Sequence, residues 1–209
     1  MKKCLIFDFD GVVADTEAGR YAMLTNLLAR RHSIDMSARC RMEDFVGLHT
    51  TAALKKFFPQ LSEEDICKIY AERNVEYQQN LDKYCLVYPQ AVESITALAQ
   101  KFDVKMATAN DRNNINILLR HIGLDKTFTE VFTREELEDK GKKSYAKILP
   151  LIPYAPHECY VMEDSPVGIQ SAKEAGFECV LFNRYNNPEA LKWADHVVTS
   201  YEELIKLVS

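Results

Sequence analysis

The strongest constraint on this chain is the alternation of strand and helix patterns that runs from Pro89 to its end. A helical pattern over 91–101 leads to an apolar strand over 104–108. A helix over 112–122 follows, opened by Asn110 or Asp111 and stopped by Gly123. A short strand at 131–132, a helix over 144–152 and a strand over 159–162 come next. The series closes with a helix over 166–175, a strand over 177–182, a short helix over 188–193, a strand over 196–198 and a terminal helix. Strands that alternate with helices imply a parallel sheet covered on both faces. The first segment, 3–9, adds one more strand of the same kind, short, apolar and bounded by Asp and Gly.

Between that first strand and Pro89 the character changes. Tyr21, Leu24, Leu27 and Leu28 recur at helical spacing, as do Leu54, Phe57 and Phe58, then Ile66, Ile69 and Tyr70. Ser62 followed by Glu63, Glu64 and Asp65 is a helix start, a capping hydroxyl with acids at the positive end of the dipole. The expected fold class is therefore α/β, a doubly wound, Rossmann-like parallel-sheet core over 1–15 and 86–209. A small α-helical domain over 16–85 is inserted into it.

Composition narrows the class of function. Hydrophobic residues at 47% and charged residues at 27% exclude a disordered or collagen-like chain. A net charge of -5, spread along the sequence, argues against nucleic acid or an anionic membrane as partner. The apolar run at Cys4–Phe7 meets Asp8 at once, too short for a signal peptide, and no run approaches the roughly 18 apolar residues of a span. The six cysteines are scattered without a C-x-x-C pair, so reduced thiols, a cytoplasmic setting and no zinc are expected.

In open parallel sheets ligands bind at the carboxyl ends of the strands. The first strand is followed by Asp8-Phe9-Asp10-Gly11-Val12, the second by Thr108-Ala109-Asn110-Asp111, and the strand over 159–162 by Glu163-Asp164-Ser165-Pro166-Val167-Gly168. Carboxylates gathered in this way repel one another unless a cation joins them, and hard oxygen ligands of this type suit Mg²⁺. Asp8 and Asp10, two residues apart where the chain turns, can reach one cavity. One can then attack while the other handles protons. Ser165 also suits the cap of the helix begun by Pro166.

These residues resemble the motifs of the haloacid dehalogenase superfamily of aspartate-nucleophile phosphotransferases, in the subgroup of small-helical-cap phosphatases and β-phosphoglucomutases. Asp8-Phe9-Asp10-Gly11-Val12 is similar to its first motif, Thr108 to its second, and Glu163-Asp164-Ser165-Pro166-Val167-Gly168-Ile169 to its fourth. The resemblance spans essentially the whole chain, with the insert over 16–85 as the cap. It implies that Asp8 attacks phosphorus and that Asp10 protonates the leaving oxygen and later activates water. It implies that Asp8, Asp10 (through its main-chain carbonyl), Glu163 and Asp164 hold or support Mg²⁺, and that Thr108 and a lysine contact the phosphoryl group.

The lysine departs from the family pattern. The segment Asp139-Lys140-Gly141-Lys142-Lys143-Ser144-Tyr145 lacks the usual Lys-Pro, and Lys142 is favoured because it follows a glycine, with Lys140 and Lys143 as alternatives. Asn110, Arg20, His49 and Arg73 are the expected substrate contacts. Asp10 disfavours dehalogenation, since a halide leaves without a proton. Arg20 stands where the mutases carry a histidine, and Asn110-Asp111 where they carry Ser-Lys. The expected function is thus Mg²⁺-dependent hydrolysis of a small phosphomonoester, such as a sugar phosphate, through an aspartyl-phosphate. The alternatives are a phosphosugar mutase and, in a different class, a non-catalytic phosphorylatable or ligand-binding protein. The expected partner is a small phosphorylated metabolite. Oligomeric state is left open by the sequence, with a monomer compatible.

Overall fold

The computed structural model describes residues 3–45, 50–139, 142–184 and 186–209. It divides into two units, Met1–Ala14 with Val87–Ser209, and Asp15–Leu86. In chain order, β1 (Cys4–Phe7) and the short β2 (Ala14–Asp15) lead into the helical unit. That unit contains α1 (Thr16–His32), α2 (Met42–Phe45), α3 (Thr50–Phe57), α4 (Glu63–Gln79) and α5 (Leu81–Tyr84). The return is β3 (Leu86–Val87), followed by α6 (Ala91–Leu98), β4 (Asp103–Ala107), α7 (Arg112–His121) and β5 (Glu130–Phe132). Then come α8 (Arg134–Leu137), a hairpin of β6 (Glu138–Asp139) and β7 (Lys142–Lys143), and a 3-10 helix at Tyr145–Leu151. The chain ends with β8 (Cys159–Glu163), α9 (Pro166–Glu174), β9 (Glu178–Phe182), α10 (Pro188–Leu191), β10 (His196–Val198) and α11 (Tyr201–Val208).

The main sheet has six strands in the order β10-β9-β8-β1-β4-β5, with every neighbouring pair parallel. Helices flank it, which is the doubly wound α/β arrangement. β1 lies inside the sheet, Cys4 opposite Asp103 on one side and opposite Cys159 on the other. All four of its residues are buried, as a strand covered on both faces requires. At ~1.5–3 kcal/mol for each large apolar side chain, Leu5, Ile6 and Phe7 anchor the strand that carries the site. Ile6, Val161, Ile169, Phe177 and Leu181 belong to one buried cluster that joins β1, β8 and β9 to α9.

The helical unit has its own apolar core, built from Leu24, Leu27 and Leu28 of α1 with Phe45, Leu54, Phe58, Ile66 and Ile69. Its two long helices start on sequence-encoded caps. Asp15 accepts a hydrogen bond from the Ala18 N–H (2.9 Å) to open α1. Ser62 and Asp65 exchange bonds to open α4.

One local expectation changes. The helix expected over 144–152 is a 3-10 helix, Tyr145–Leu151, with Pro150 inside it. Proline lacks the N–H that an α-helix would use there. The hairpin of β6 and β7 falls where the sequence predicts no element, because two-residue strands of charged side chains carry no hydrophobic alternation. Among the described residues no helix is long and apolar enough to cross a membrane.

Candidate active site

The site is built at the carboxyl ends of β1, β4 and β8, all in the sheet-bearing unit. Asp8 follows directly on β1, and its main-chain N–H donates to the Met162 carbonyl of β8 (2.9 Å). The chain then turns sharply, with the Val13 N–H donating to the Phe9 carbonyl (2.9 Å) and the Gly11 N–H to the Ala14 carbonyl (2.9 Å). Gly11 has φ +72, and a Cβ built there would lie 1.8 Å from Asp164 Oδ2. Glycine thus serves twice, for the left-handed turn and for the space the acid occupies.

β8 ends in Glu163, which is completely buried, and Asp164 follows. Ser165 caps α9, its Oγ accepting from the Gly168 N–H (3.0 Å), and the same hydroxyl donates to Glu163 Oε2 (3.0 Å). The capping expectation for Ser165 and its position beside the acids are met by one side chain.

Asp8, Glu163 and Asp164 each offer a carboxylate oxygen, and the three lie within 4.8 Å of one another. Among the described residues, one cation is set beside them. Lys143 Nζ lies 3.0 Å from Asp8 Oδ1 and 2.6 Å from Glu163 Oε1. Tyr145, fully buried, donates its hydroxyl to the same Glu163 oxygen (2.9 Å). One ammonium does not balance the acids. Burial, then the charges of Glu163 and Asp10, push Asp8 up to about 8 against the pull of Lys143. Burial and the charges of Glu163, Asp8 and Asp10 hold Asp164 well above the usual carboxylate range. Burial lowers the Lys143 ammonium, but the opposed charges of Asp8 and Glu163 outweigh it and hold the proton on. The surplus of buried negative charge, on oxygen donors alone, is the environment that a hard divalent cation fits.

Across β1, β4 ends at Ala107 and delivers Thr108, completely buried, whose N–H donates to the Phe132 carbonyl (2.9 Å). Asn110 donates its side-chain amide to Thr108 Oγ1 (3.1 Å) and to Asp10 Oδ2 (2.7 Å). Asp10 is therefore turned toward β4, outside the group formed by Asp8, Glu163 and Asp164.

The structure brings Asp8, Glu163 and Asp164 together, and sets Asp10 and Thr108 on a common Asn110. The lysine against Asp8 is Lys143, one residue beyond the one favoured for following Gly141; the side chain of Lys142 is outside the described residues, as are Lys140 and Gly141. His49 also lies outside them. Arg20 pairs with Glu17 (2.5 Å) and lies over the Phe45 ring (4.7 Å), within the helical unit. Arg73 donates to Asn74 Oδ1 (2.8 Å) and lies over the Tyr77 ring (5.5 Å), also within that unit. Asn110, expected to meet substrate, is committed to Asp10 and Thr108. Tyr145 was missed altogether. Its signal was spacing, since residues two apart in an extended segment share a side, and Lys143 and Tyr145 reach one oxygen of Glu163.

The family model of haloacid dehalogenase-like hydrolases matches residues 5–182. The protein YhcW of Bacillus subtilis (strain 168) is 26% identical, the match covering 98% of this chain and 94% of that one. Hexitol phosphatase A of Escherichia coli (strain K12) is also 26% identical, covering 97% of this chain and 93% of its own. Among solved structures, a β-phosphoglucomutase from Clostridium difficile shares the fold with a TM-score of 0.71 and 23% identity, covering 100% of this chain and 96% of the other.

Proposed function

The chain belongs to the haloacid dehalogenase-like hydrolases, and from that premise we propose that it is a Mg²⁺-dependent phosphatase of a small phosphorylated carbohydrate, working through an aspartyl-phosphate. The observation that carries this reading is the buried ammonium of Lys143, 3.0 Å from Asp8 and 2.6 Å from Glu163, beside acids that one lysine cannot neutralise. The substrate class rests on hexitol phosphatase A, whose name states its own substrate.

Asp8 supplies the attacking oxygen. A bond forms from its carboxylate to phosphorus as the bond from phosphorus to the leaving oxygen breaks. Asp10 gives that oxygen its proton. In the second half, the Asp10 carboxylate takes a proton from water, the water oxygen attacks phosphorus, and the bond to Asp8 breaks to release inorganic phosphate. Lys143 and the Thr108 hydroxyl face the negative charge spread over the transferring group, where electrostatic stabilisation supplies most of the catalysis. Asp8, Glu163 and Asp164, with the Asp10 main-chain carbonyl, are the residues that would hold Mg²⁺, which when bound neutralises carboxylates and phosphoryl oxygens alike.

The test is phosphate release from a panel of sugar and hexitol phosphates, with and without Mg²⁺, for the natural chain and Asp8→Asn. Turnover is expected only with the metal and is expected to vanish in the variant while its circular dichroism is unchanged. Wild-type turnover by Asp8→Asn refutes the nucleophile. Interconversion of hexose phosphates without phosphate release refutes the hydrolase reading in favour of a mutase.

A further inference from the structure

We propose that Asn114, on the first turn of α7, is a positioning residue for the Asp10 carboxylate and acts through Asn110. The proposal rests on the reading of Asp10 as the proton donor to the leaving oxygen.

Asn110 is held at every point but one by groups close to it. Its N–H donates to Thr108 Oγ1 (3.2 Å), and its carbonyl accepts from the Arg134 N–H (2.9 Å). With the main chain tied on both sides, the freedom left is rotation of the side-chain amide. That amide has a donor end and an acceptor end of nearly the same shape. With the nitrogen forward, Asn110 donates to Asp10 Oδ2 (2.7 Å) and to Thr108 Oγ1 (3.1 Å). With the oxygen forward, it would set an acceptor against a carboxylate and lose the bond. Asn114 decides between the two. Its side-chain nitrogen donates to Asn110 Oδ1 (2.7 Å), so the oxygen end is occupied and the nitrogen end faces Asp10.

The main chain of Asn114 is itself fixed. Its N–H donates to Asp111 Oδ1 (2.9 Å), the cap of α7, and the next residue, Ile115, is fully buried. The chain of contact therefore runs from a capped helix through two amides to one oxygen of Asp10. The bond that Asn114 makes is to Asn110, one amide removed from Asp10, which makes it a positioning residue.

A proton donor matters in proportion to how badly the leaving group needs a proton. The experiment compares kcat/KM for p-nitrophenyl phosphate, whose leaving group needs none, with kcat/KM for an alkyl phosphate such as a hexitol phosphate, under saturating Mg²⁺. The variants are Asn114→Asp, nearly isosteric but unable to donate when ionised, and Asn114→Ser, which shortens the donor out of reach. A displaced catalytic group commonly costs about 100-fold. The alkyl ester is therefore expected to lose ~10- to 100-fold in both variants, while the aryl ester stays within about 3-fold. Equal losses on both esters, or no loss on either, overturn the proposal. Asp10→Ala separates this from the reading beneath it. If Asp10→Ala loses selectively on the alkyl ester and the Asn114 variants do not, the positioning role alone falls. If Asp10→Ala loses equally on both esters, the donor reading falls and takes the proposal with it.

Discussion

Replacing Gly168 by alanine sets two physical effects of opposite sign against each other. Gly168 lies in α9, where alanine is the better helix former by about 0.8–1.0 kcal/mol. Propensity alone therefore expects a more stable protein. The site expects the reverse. A Cβ at this position would lie 2.1 Å from Glu163 Oε1 and 2.3 Å from Glu163 Oε2, so the carboxylate must retreat by about 1.3 Å to reach ordinary contact. It has nowhere to go at no cost, since Glu163 is completely buried. A shift of that size breaks its bonds from Lys143 (2.6 Å), Tyr145 (2.9 Å) and Ser165 (3.0 Å). A hydrogen bond to a charged group contributes ~1.5–3 kcal/mol. Counting only two of the three as lost already outweighs the propensity gain and leaves a net destabilisation of roughly 2–5 kcal/mol. For a chain of this size that corresponds to a fall in Tm of about 4–20 °C. The assay is urea and thermal unfolding of Gly168→Ala beside phosphate release, with Glu163→Ala and the double variant completing a cycle. In the Glu163→Ala background the clash is gone and Gly168→Ala should stabilise by about 1 kcal/mol. A single Gly168→Ala variant that is more stable than the natural chain and fully active refutes the reasoning.

Lys143→Met should lower kcat by about 100-fold or more, since in the proposed mechanism it removes the cation facing the transferring phosphoryl group, and should lower stability by ~3–5 kcal/mol through the unpaired Asp8 and Glu163. Steady-state kinetics and unfolding check it, and full activity in the variant contradicts it. Stability without metal should fall as pH rises. Asp8 ionises near 3.8 when unexposed to the fold and only near 8 within it, so the folded chain binds the extra proton across that window and loses stability as pH climbs through it. Added Mg²⁺ should therefore raise Tm more at pH 8 than at pH 5; an equal rise at both would contradict the acid cluster as its site.

What the sequence revealed and what it hid have physical reasons. Elements that bury apolar side chains on a regular period announce themselves, which is why β10 at His196–Val198 was read at its observed limits. The acids were legible because they end buried strands, where charge is costly without a use. Lys143 stood only as an alternative and Tyr145 went unread, because a two-residue strand and a 3-10 turn have no period and because their partner, Glu163, is remote in the chain. The bond from Asn110 to Asp10 was hidden for a similar reason. Its type and place suit substrate or Asp10 equally, and only the contact with Asn114 shows which way its amide is turned.

The place of β1 in the sheet also orders events during synthesis. The first strand made is the one that needs partners on both sides, and those partners are β4 and β8, the second drawn from the last third of the chain. At roughly 5–20 residues per second, Asp8 waits many seconds for its neighbours. The whole helical unit, with a core of its own, leaves the ribosome in that interval. Until β8 docks, Asp8 has neither Glu163 nor Asp164 beside it. A growing or half-assembled chain therefore lacks the acid cluster, which forms only when the sheet has closed around β1.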